Sequence, residues 1–322
     1  MPGPLRVLLT GGLGYLGGRL ARFLTESAGY EVVLGTRTPE RVPEWAAAYP
    51  VVRTDWTQEA ALARACAGAD AIVHLAGMNA QRCAEDPVGA IEFNAAGTAR
   101  LLSVACREQV RRCIYLSSAH VYGDALVGTV DESVCPQPRH PYATSRRAAE
   151  DLVRHAQHSG RIEGLVVRLS NSYGAPADPA ADCWTLLTND LCLQAVRTRR
   201  LVLRTTGEQR RDFVPLTETC RALTHLLAVP AALLQQEVVN VGGRWAPMLW
   251  EMAALIAVRV SAVLGFRPEV HTGDRTDVVG GGLVEYRIAR LLATGFEPDP
   301  DAVVPELDRL IGFCQEHRKS LP

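Results

Sequence analysis

The chain reads as an α/β protein: a doubly wound parallel sheet with helices on both faces, carrying a smaller, mostly helical lobe toward its C-terminus. Three observations predict this. Short apolar, β-branched runs alternate with amphipathic stretches through the first 120 residues, as strands joined by crossover helices do. The earliest runs are apolar almost without interruption, which fits strands buried on both sides. A glycine-rich turn sits directly between the first run and the first amphipathic stretch.

Taken in order, LRVLLTG (5–11), YEVVLGT (30–36), VVRTDW (51–56), DAIVHLAG (70–77) and RRCIYLSS (111–118) are the expected strands. Between them YLGGRLARFLTE, QEAALARACAG and AIEFNAAGTARLLSVACREQ place apolar residues at helical spacing. SRRAAEDLVRHAQ continues as a helix, EGLVVRLSN as a strand ending near Asn171, and QEVVNVGG as a further strand. The stretch GAPADPAAD (174–182), rich in Pro, Ala and Asp, breaks the alternation and begins an insertion. From about residue 244 the chain is mostly helical, with one strand candidate near PEVHTG. The expected division is a sheet domain of residues 1–173 plus about 209–243, and a lobe of about 174–208 plus 244–322 lying over the carboxyl ends of the strands.

Composition removes several function classes. With 34 basic and 35 acidic residues the formal charge is −1, and no stretch interleaves basic and aromatic residues as a nucleic-acid groove requires. Nine cysteines are spread without a C-x-x-C pair or the Cys/His clustering that binds zinc, so no metal site is expected. They read as buried hydrophobes and free thiols of a reducing compartment. MPGPLRVLLTGG holds too short an apolar run for a signal peptide, and no window of 18 apolar residues occurs. A cytoplasmic protein with no membrane association is expected. All but one of the 34 basic residues are Arg, the exception being Lys319.

The first turn, TGGLGYLGGRL, places Gly11, Gly14 and Gly17 in the spacing G-x-x-G-x-x-G between a strand and a helix. Small residues there permit a tight turn, close approach of backbone to a pyrophosphate, and packing of helix on strand. A dinucleotide-binding domain of Rossmann type follows; the alternative is a tight turn with no ligand. At the end of the second strand, Gly35-Thr36-Arg37-Thr38 lacks the acid that takes the ribose hydroxyls of NAD, and Arg37 suits the extra phosphate of NADP. NADP is therefore favoured over NAD. Asp55, closing the third strand, stands where a carboxylate can bond the adenine amino group, or is part of a surface turn.

Taken together, TGGLGYLG, Asp55, HLAG (74–77), Asn94 in FNAAGT, YLSSAHVYG (115–123), Tyr142 with Arg146, and RLSNSYG (168–174) resemble the extended short-chain dehydrogenase/reductase family, and within it the nucleotide-sugar epimerases, dehydratases and reductases. The likeness is dense over residues 5–174, sparser through QRRDFVPLTETCRAL (209–223) and VVNVGG, and faint beyond 245. The resemblance implies a cofactor site built from Gly11, Gly14, Tyr15, Leu16, Gly17, Thr36, Arg37, Asp55, Trp56, Leu75, Ala76, Gly77, Asn94, Ser117, Tyr142, Arg146 and Leu169. It implies Ser118 as the residue orienting the reacting oxygen, Tyr142 as general acid or base, and Arg146 in place of the family's Lys. Asn79, Ser118, Ala119, His120, Tyr142, Asn171, Arg211 and His271 are implied on the substrate side. Homodimers are common in the family; Leu101, Leu102, Ala148 and Leu152 would suit the shared helices, or are the inward faces of those helices.

An alcohol loses hydride to nicotinamide only if its proton leaves too, so a base must stand beside the reacting oxygen. A free Tyr, with a pKa of about 10, is poor at this near pH 7. A cation about 4 Å away at an effective dielectric of about 20 contributes about 4 kcal/mol, enough to lower that pKa by nearly three units. Arg146 can supply this term because it stays charged, and its planar donors can reach ribose hydroxyls. It is bulkier than Lys and passes no proton along. The alternatives are an incidental Tyr and Arg on a surface helix, or a cofactor-binding scaffold without turnover.

Within the resemblance, sugar 4,6-dehydratases carry an Asp-Glu pair after the catalytic Ser, whereas here Ala119 and His120 follow Ser118. His120 either touches substrate or packs under the V-Y-G turn. The remaining expectations are a ketoreductase using NADPH on a nucleotide-activated 4-ketosugar, or a nucleotide-sugar 4-epimerase with bound NAD. Asn171 and Arg211 match positions that hold a substrate diphosphate, for which an Arg fork is well shaped; Arg210 either assists or is solvated. Relatives commonly place a second phosphate Arg in R-x-G-D, where this chain has His271-Thr272-Gly273-Asp274. Replacing Arg37 by Ala should weaken NADPH binding while leaving NADH binding nearly unchanged; comparing the two dissociation constants in both proteins checks it, and an unaltered NADPH affinity removes the assignment of Arg37.

Overall fold

In the computed structural model, which describes residues 4–124, 126–234, 237–274 and 282–321, the chain runs β1 (Arg6–Thr10), α1 (Tyr15–Ala28), β2 (Glu31–Thr36), β3 (Val51–Arg53), α2 (Glu59–Cys66), β4 (Ala71–His74), α3 (Ala80–Glu85), α4 (Pro87–Ala90), α5 (Gly97–Arg107) and β5 (Arg112–Ser118). It continues through β6 (Gly128–Val130), α6 (Pro141–His158), β7 (Glu163–Leu169), β8 (Asn171–Tyr173), α7 (Leu187–Thr198), β9 (Arg200–Val202), β10 (Phe213–Pro215), α8 (Leu216–Ala228), β11 (Val238–Val241), α9 (Leu249–Leu264), β12 (Glu269–His271), β13 (Val284–Tyr286), α10 (Ala289–Ala293) and α11 (Val303–Glu316). The strands expected from the apolar runs all form, most of them a residue or more shorter than the run.

Seven strands make one sheet in the order β11-β7-β5-β4-β1-β2-β3, and every pairing in it is parallel. The chain leaves β1 toward β2 and β3 on one side and returns to β4 on the other, so the order reverses between β1 and β4. Such a reversal opens a crevice outside the carboxyl ends of the strands. The doubly wound sheet is sealed on one face by α1 and α8, around Leu20, Leu24, Leu223 and Leu226, and on the other by α2, α5 and α6, around Leu62, Leu101 and Val153. β4 (AIVH) and β11 (VVNV) are buried along their whole length, His74 and Asn240 included, as strands covered on both faces are. Leu101 and Leu102 belong to this packing: both are buried within the single chain, which is the inward-face alternative. The helix expected over FNAAGTARLL opens as a π-helical turn, Ile91–Ala96, before continuing as α5.

The helical lobe has its own core from α7, α9 and α11, around Leu191, Cys192, Met252, Ile256, Leu307 and Leu310. Residues 286–296 return to the sheet domain, where Tyr286, Ile288, Leu291 and Phe296 join its core. Among the described residues, no helix is long and apolar enough to cross a membrane.

A buried ion pair ties the lobe to the sheet domain. Arg19 on α1 donates to Glu306 on α11 through Nη1 (2.8 Å) and Nη2 (3.1 Å), and to the carbonyl of Ala175 (2.7 Å). Glu306 also accepts from the backbone N–H of Thr217 (3.2 Å) and Ala175 (3.3 Å) and from the Thr217 hydroxyl. Removing one partner of such a pair leaves the other charged and uncompensated, at a cost of about 3–5 kcal/mol. Glu306→Ala should lower the chemical-unfolding free energy by about that amount. Combining it with Arg19→Met should recover part of the loss; strict additivity in denaturant titrations would show that the two side chains do not act as a pair.

Candidate functional site

A cavity of about 640 Å³ opens at the carboxyl ends of the strands and continues under the lobe. Most of the residues expected to form a site face it. Gly11, Gly14, Tyr15, Leu16 and Gly17 come from the first turn and α1, Thr36 and Arg37 from the end of β2, and Trp56 from the chain after β3. Leu75, Ala76, Gly77 and Asn79 follow β4, Ser117, Ser118 and His120 come from the end of β5 and the turn after it, and Leu169 and Asn171 from the end of β7 and beyond. Tyr142 and Arg146 approach from α6, and Arg211 from the segment before β10.

The first turn has the shape its glycines predict. Gly11 has φ 69°, in the left-handed region, and a Cβ on it would lie 2.9 Å from the Ala76 nitrogen. A Cβ on Gly17 would lie 2.7 Å from the Gly12 carbonyl oxygen. The N-terminus of α1 has no capping side chain and no acid in its first turn, so its orphan N–H groups and positive dipole end are available to an anion.

α6 begins where His140 accepts from the Tyr142 N–H (3.1 Å) with Pro141 at the first helical position, a favoured start for a helix. Tyr142 thus lies in the first turn, and Arg146 one turn later faces the same way. Arg146 is 7% exposed. Its Nη1 donates to the Leu116 carbonyl (3.1 Å) and the Tyr115 hydroxyl (3.4 Å), and its Cζ lies 5.9 Å from the Tyr115 ring centroid and 5.2 Å from that of Tyr142. Burial works against its charge, but the facing phenols outweigh this and hold the guanidinium above its usual range. Burial pushes the Tyr115 phenol up to about 12 against the pull of Arg146. One further turn along α6, Glu150 accepts from Ser117 Oγ (2.5 Å) and from Arg168 Nη2 (2.7 Å), pinning the helix to the ends of β5 and β7.

Asn94 sits behind the cavity wall. Its Oδ1 accepts from the Met78 N–H (2.9 Å) and its Nδ2 donates to Ser145 Oγ (2.9 Å), so it joins the loop after β4 to α6. Beside it, His74 Nδ1 lies 2.6 Å from Thr10 Oγ1 and Nε2 lies 3.0 Å from Thr98 Oγ1. Thr98 gives its proton to the Asn94 carbonyl (2.5 Å), so its oxygen accepts from His74 Nε2–H and Nδ1 accepts from Thr10. Burial, helped by Arg146, lowers the His74 imidazole to about 3 and keeps it neutral.

The His120 ring meets the Tyr142 ring edge-on at 6.2 Å. Burial and the nearby Arg211 hold its imidazole below its usual range. Arg211 Nη2 donates to Gln209 Oε1 (2.8 Å), and Asn171 Nδ2 to the Asp212 carbonyl (2.9 Å). Ala119 lines a small adjoining cavity with Ser118, His120, Asn171 and Arg211. Besides Asn94, two expected residues, Asp55 and His271, are absent from both linings. Asp55 turns its carboxylate onto Thr57 N (2.9 Å), Thr57 Oγ1 (2.7 Å) and Gln58 Nε2 (2.8 Å). His271 is exposed on β12, with Nε2 3.1 Å from Glu269 Oε2.

Several lining residues carry no signal in the sequence. Phe93 packs beneath Arg37, whose Cζ lies 5.1 Å from the ring centroid. Asp182, the one carboxylate in the main lining among the described residues, accepts from Asn79 Nδ2 (2.8 Å). Thr188 reaches the cavity from the first turn of α7.

The residues present fit a dinucleotide. Among the described residues, the buried side-chain polar atoms with neither a hydrogen bond nor an ion pair are Trp56 Nε1, Arg146 Nε and Thr188 Oγ1. All three belong to residues lining this cavity. Buried polar groups are ordinarily satisfied, and their concentration here indicates a wall shaped for polar ligands.

The NAD dependent epimerase/dehydratase family model matches residues 7–242. By sequence the chain is similar to the dTDP-glucose 4,6-dehydratase of Streptomyces niveus, 32% identical over 255 residues, which are 74% of this chain and 73% of that protein. By structure it is similar to UDP-glucuronic acid 4-epimerase from Bacillus cereus, solved with UDP-glucuronic acid and NAD, with a TM-score of 0.77 at 18% identity over 97% of this chain and 99% of that one. RMD from Pseudomonas aeruginosa, solved with NADPH, gives a TM-score of 0.75 at 23% identity over 97% and 99% of the two chains.

The neutral His74 has a consequence in solution. The unfolded chain takes up a proton on this imidazole below its ordinary 6.5, whereas the folded protein resists until about 3. The contribution is therefore complete above about pH 6.5 and is lost progressively as pH falls toward about 3. The thermal midpoint should fall from about pH 7.5 to about pH 5, and His74→Gln should flatten that slope whatever its midpoint at the upper end; equal slopes in the two proteins would refute the assignment.

Proposed function

Since the chain belongs to the NAD dependent epimerase/dehydratase family, we propose that it is a nicotinamide-dependent enzyme of nucleotide sugars, and specifically a ketoreductase that takes NADPH and reduces a ketone on the sugar ring. What carries the reductase reading is the charge around the cavity. Arg37 occupies the end of β2 with no acid beside it in Gly35-Thr36-Arg37-Thr38, and it rests on Phe93, where its fork suits a 2′-phosphate. Ala119 and His120 follow Ser118, so the acid pair that resemblance assigns to 4,6-dehydratases is missing, although a dehydratase is among the similar proteins.

In this reading the bound dinucleotide supplies hydride to the carbonyl carbon. Ser118 donates a hydrogen bond to the carbonyl oxygen and fixes its direction. Tyr142 donates its phenolic proton to that oxygen as charge develops on it. The tyrosinate left behind faces Arg146, and a unit charge about 5 Å away at an effective dielectric of about 20 is worth about 3 kcal/mol. Arg211 and Asn171 both line the cavity, and beside them we place the substrate diphosphate. Asp182 would repel that group, and its bond from Asn79 turns one of its oxygens aside.

The test is turnover with a nucleotide-activated 4-ketosugar. NADPH should be consumed one for one with substrate, and Tyr142→Phe should slow the reaction roughly 10²- to 10⁴-fold. Interconversion of sugar epimers with no net change in cofactor identifies a 4-epimerase instead. Undiminished turnover by the Phe variant removes Tyr142 from its role.

A further inference from the structure

We infer that Gly77 and Arg146 form a size-matched pair, in which the missing side chain at 77 is what allows an arginine to serve at a cofactor position where resemblance leads one to expect lysine. The inference rests on the reading of the cavity as a nicotinamide site and adds to it a residue that positions the cation.

The observation is steric. A Cβ built on Gly77 would overlap Arg146 Nη2 and Cζ and would lie 2.7 Å from Nη1. The three heavy atoms nearest to it all belong to that one guanidinium. The space a side chain at 77 would need is thus the space the guanidinium fills. The guanidinium in turn is held on its other sides. Nη1 is bonded to the Leu116 carbonyl and the Tyr115 hydroxyl, and the Tyr115 and Tyr142 rings lie against it. A planar guanidinium is broader than an ammonium, and the extra breadth points at residue 77. With Nη1 engaged and Nε, among the described residues, buried without a partner, Nη2 is the edge that lies against Gly77, and both residues line the cavity. The position of Nη2 therefore decides where the donors meant for the cofactor ribose stand.

A methyl group at 77 would not unfold the protein, because the clashing atoms are the end of a long side chain. The direction left open to them is the cavity. Arg146 would swing into the space the ribose needs, so the damage should appear in cofactor binding. The Arg146→Lys variant, whose ammonium lacks the second nitrogen, should be indifferent to the methyl.

The experiment is a double-mutant cycle on the full chain with Gly77→Ala, Arg146→Lys and the pair together. It is read by NADPH dissociation constant from fluorescence titration, by the thermal midpoint without ligand, and by turnover. Gly77→Ala with Arg146 in place should keep the midpoint within a few degrees and weaken NADPH about 10- to 100-fold, as loss of a hydrogen bond from a charged group does. In the Arg146→Lys background the same substitution should change the dissociation constant less than about threefold, a non-additivity that only interacting residues show. Wild-type affinity in Gly77→Ala overturns the pairing. So does an equal loss in both backgrounds, which would mark Gly77 as needed for its own backbone. Should Gly77→Ala alone fail to fold, recovery of folding and binding in the double variant supports the pairing and its absence overturns it. Failure of the wild-type chain to bind any nicotinamide dinucleotide would instead strike the reading of the cavity itself.

Discussion

Seven strands running in one direction put all their carboxyl ends on one edge of the sheet, and the chemistry of this protein is assembled on that edge. The constraint follows from burial: with helices on both faces, the interior of the sheet is mostly apolar, and the loops beyond its carboxyl ends are free to carry polar side chains. Thr10, His74, Ser118 and Leu169 are the closing residues of β1, β4, β5 and β7. The crevice lies where the strand order reverses between β1 and β4, and each loop bordering it contributes one part. The glycine turn follows β1, the Gly77 loop follows β4, Ser118 closes β5, and α6 lays Tyr142 and Arg146 across them.

Holding a permanent charge at that edge demands compensation. Arg146 is nearly inaccessible, and among the described residues no carboxylate is bonded to it. It is stabilised by one carbonyl and two phenol rings, a neutral surrounding that leaves its field directed at Tyr142. His74 nearby is kept neutral by burial and by that same charge, so the wall behind the guanidinium adds no competing cation. The buried carboxylate on this helix, Glu150, is neutralised by Arg168 and Arg147. An Arg in place of a Lys in such a setting keeps the electrostatic contribution and changes the shape, so the proposed pairing with residue 77 concerns shape and not charge.

The lobe is attached by polar as well as apolar means. Glu306 of α11 and Arg19 of α1 meet beside Ala175, where the chain first enters the lobe. Arg19 lies one turn beyond Tyr15, which lines the cavity and donates to the Gly174 carbonyl (3.2 Å). The helix that presents its N-terminus to the proposed pyrophosphate is therefore the one that anchors the lobe.

Local patterning by itself determined the strands, the glycine turn and the helix bearing Tyr142 and Arg146, because each depends on residues a few positions apart: apolar alternation, glycine spacing, a turn of helix. Arg37 was legible for the same reason, as the residue at the end of a strand. Asp55 and His271 were named from their positions in motifs, and the fold turns both side chains elsewhere, Asp55 onto its own turn and His271 onto Glu269. Phe93, Asp182 and Thr188 gave no signal, since nothing in their own neighbourhoods distinguishes a residue facing a cavity from one facing solvent. Only the tertiary structure decided that Gly77 and Arg146 share one space, because that depends on how far a buried side chain reaches between elements distant along the chain. Periodicity records which face of an element is buried; what lies against that face is settled by packing.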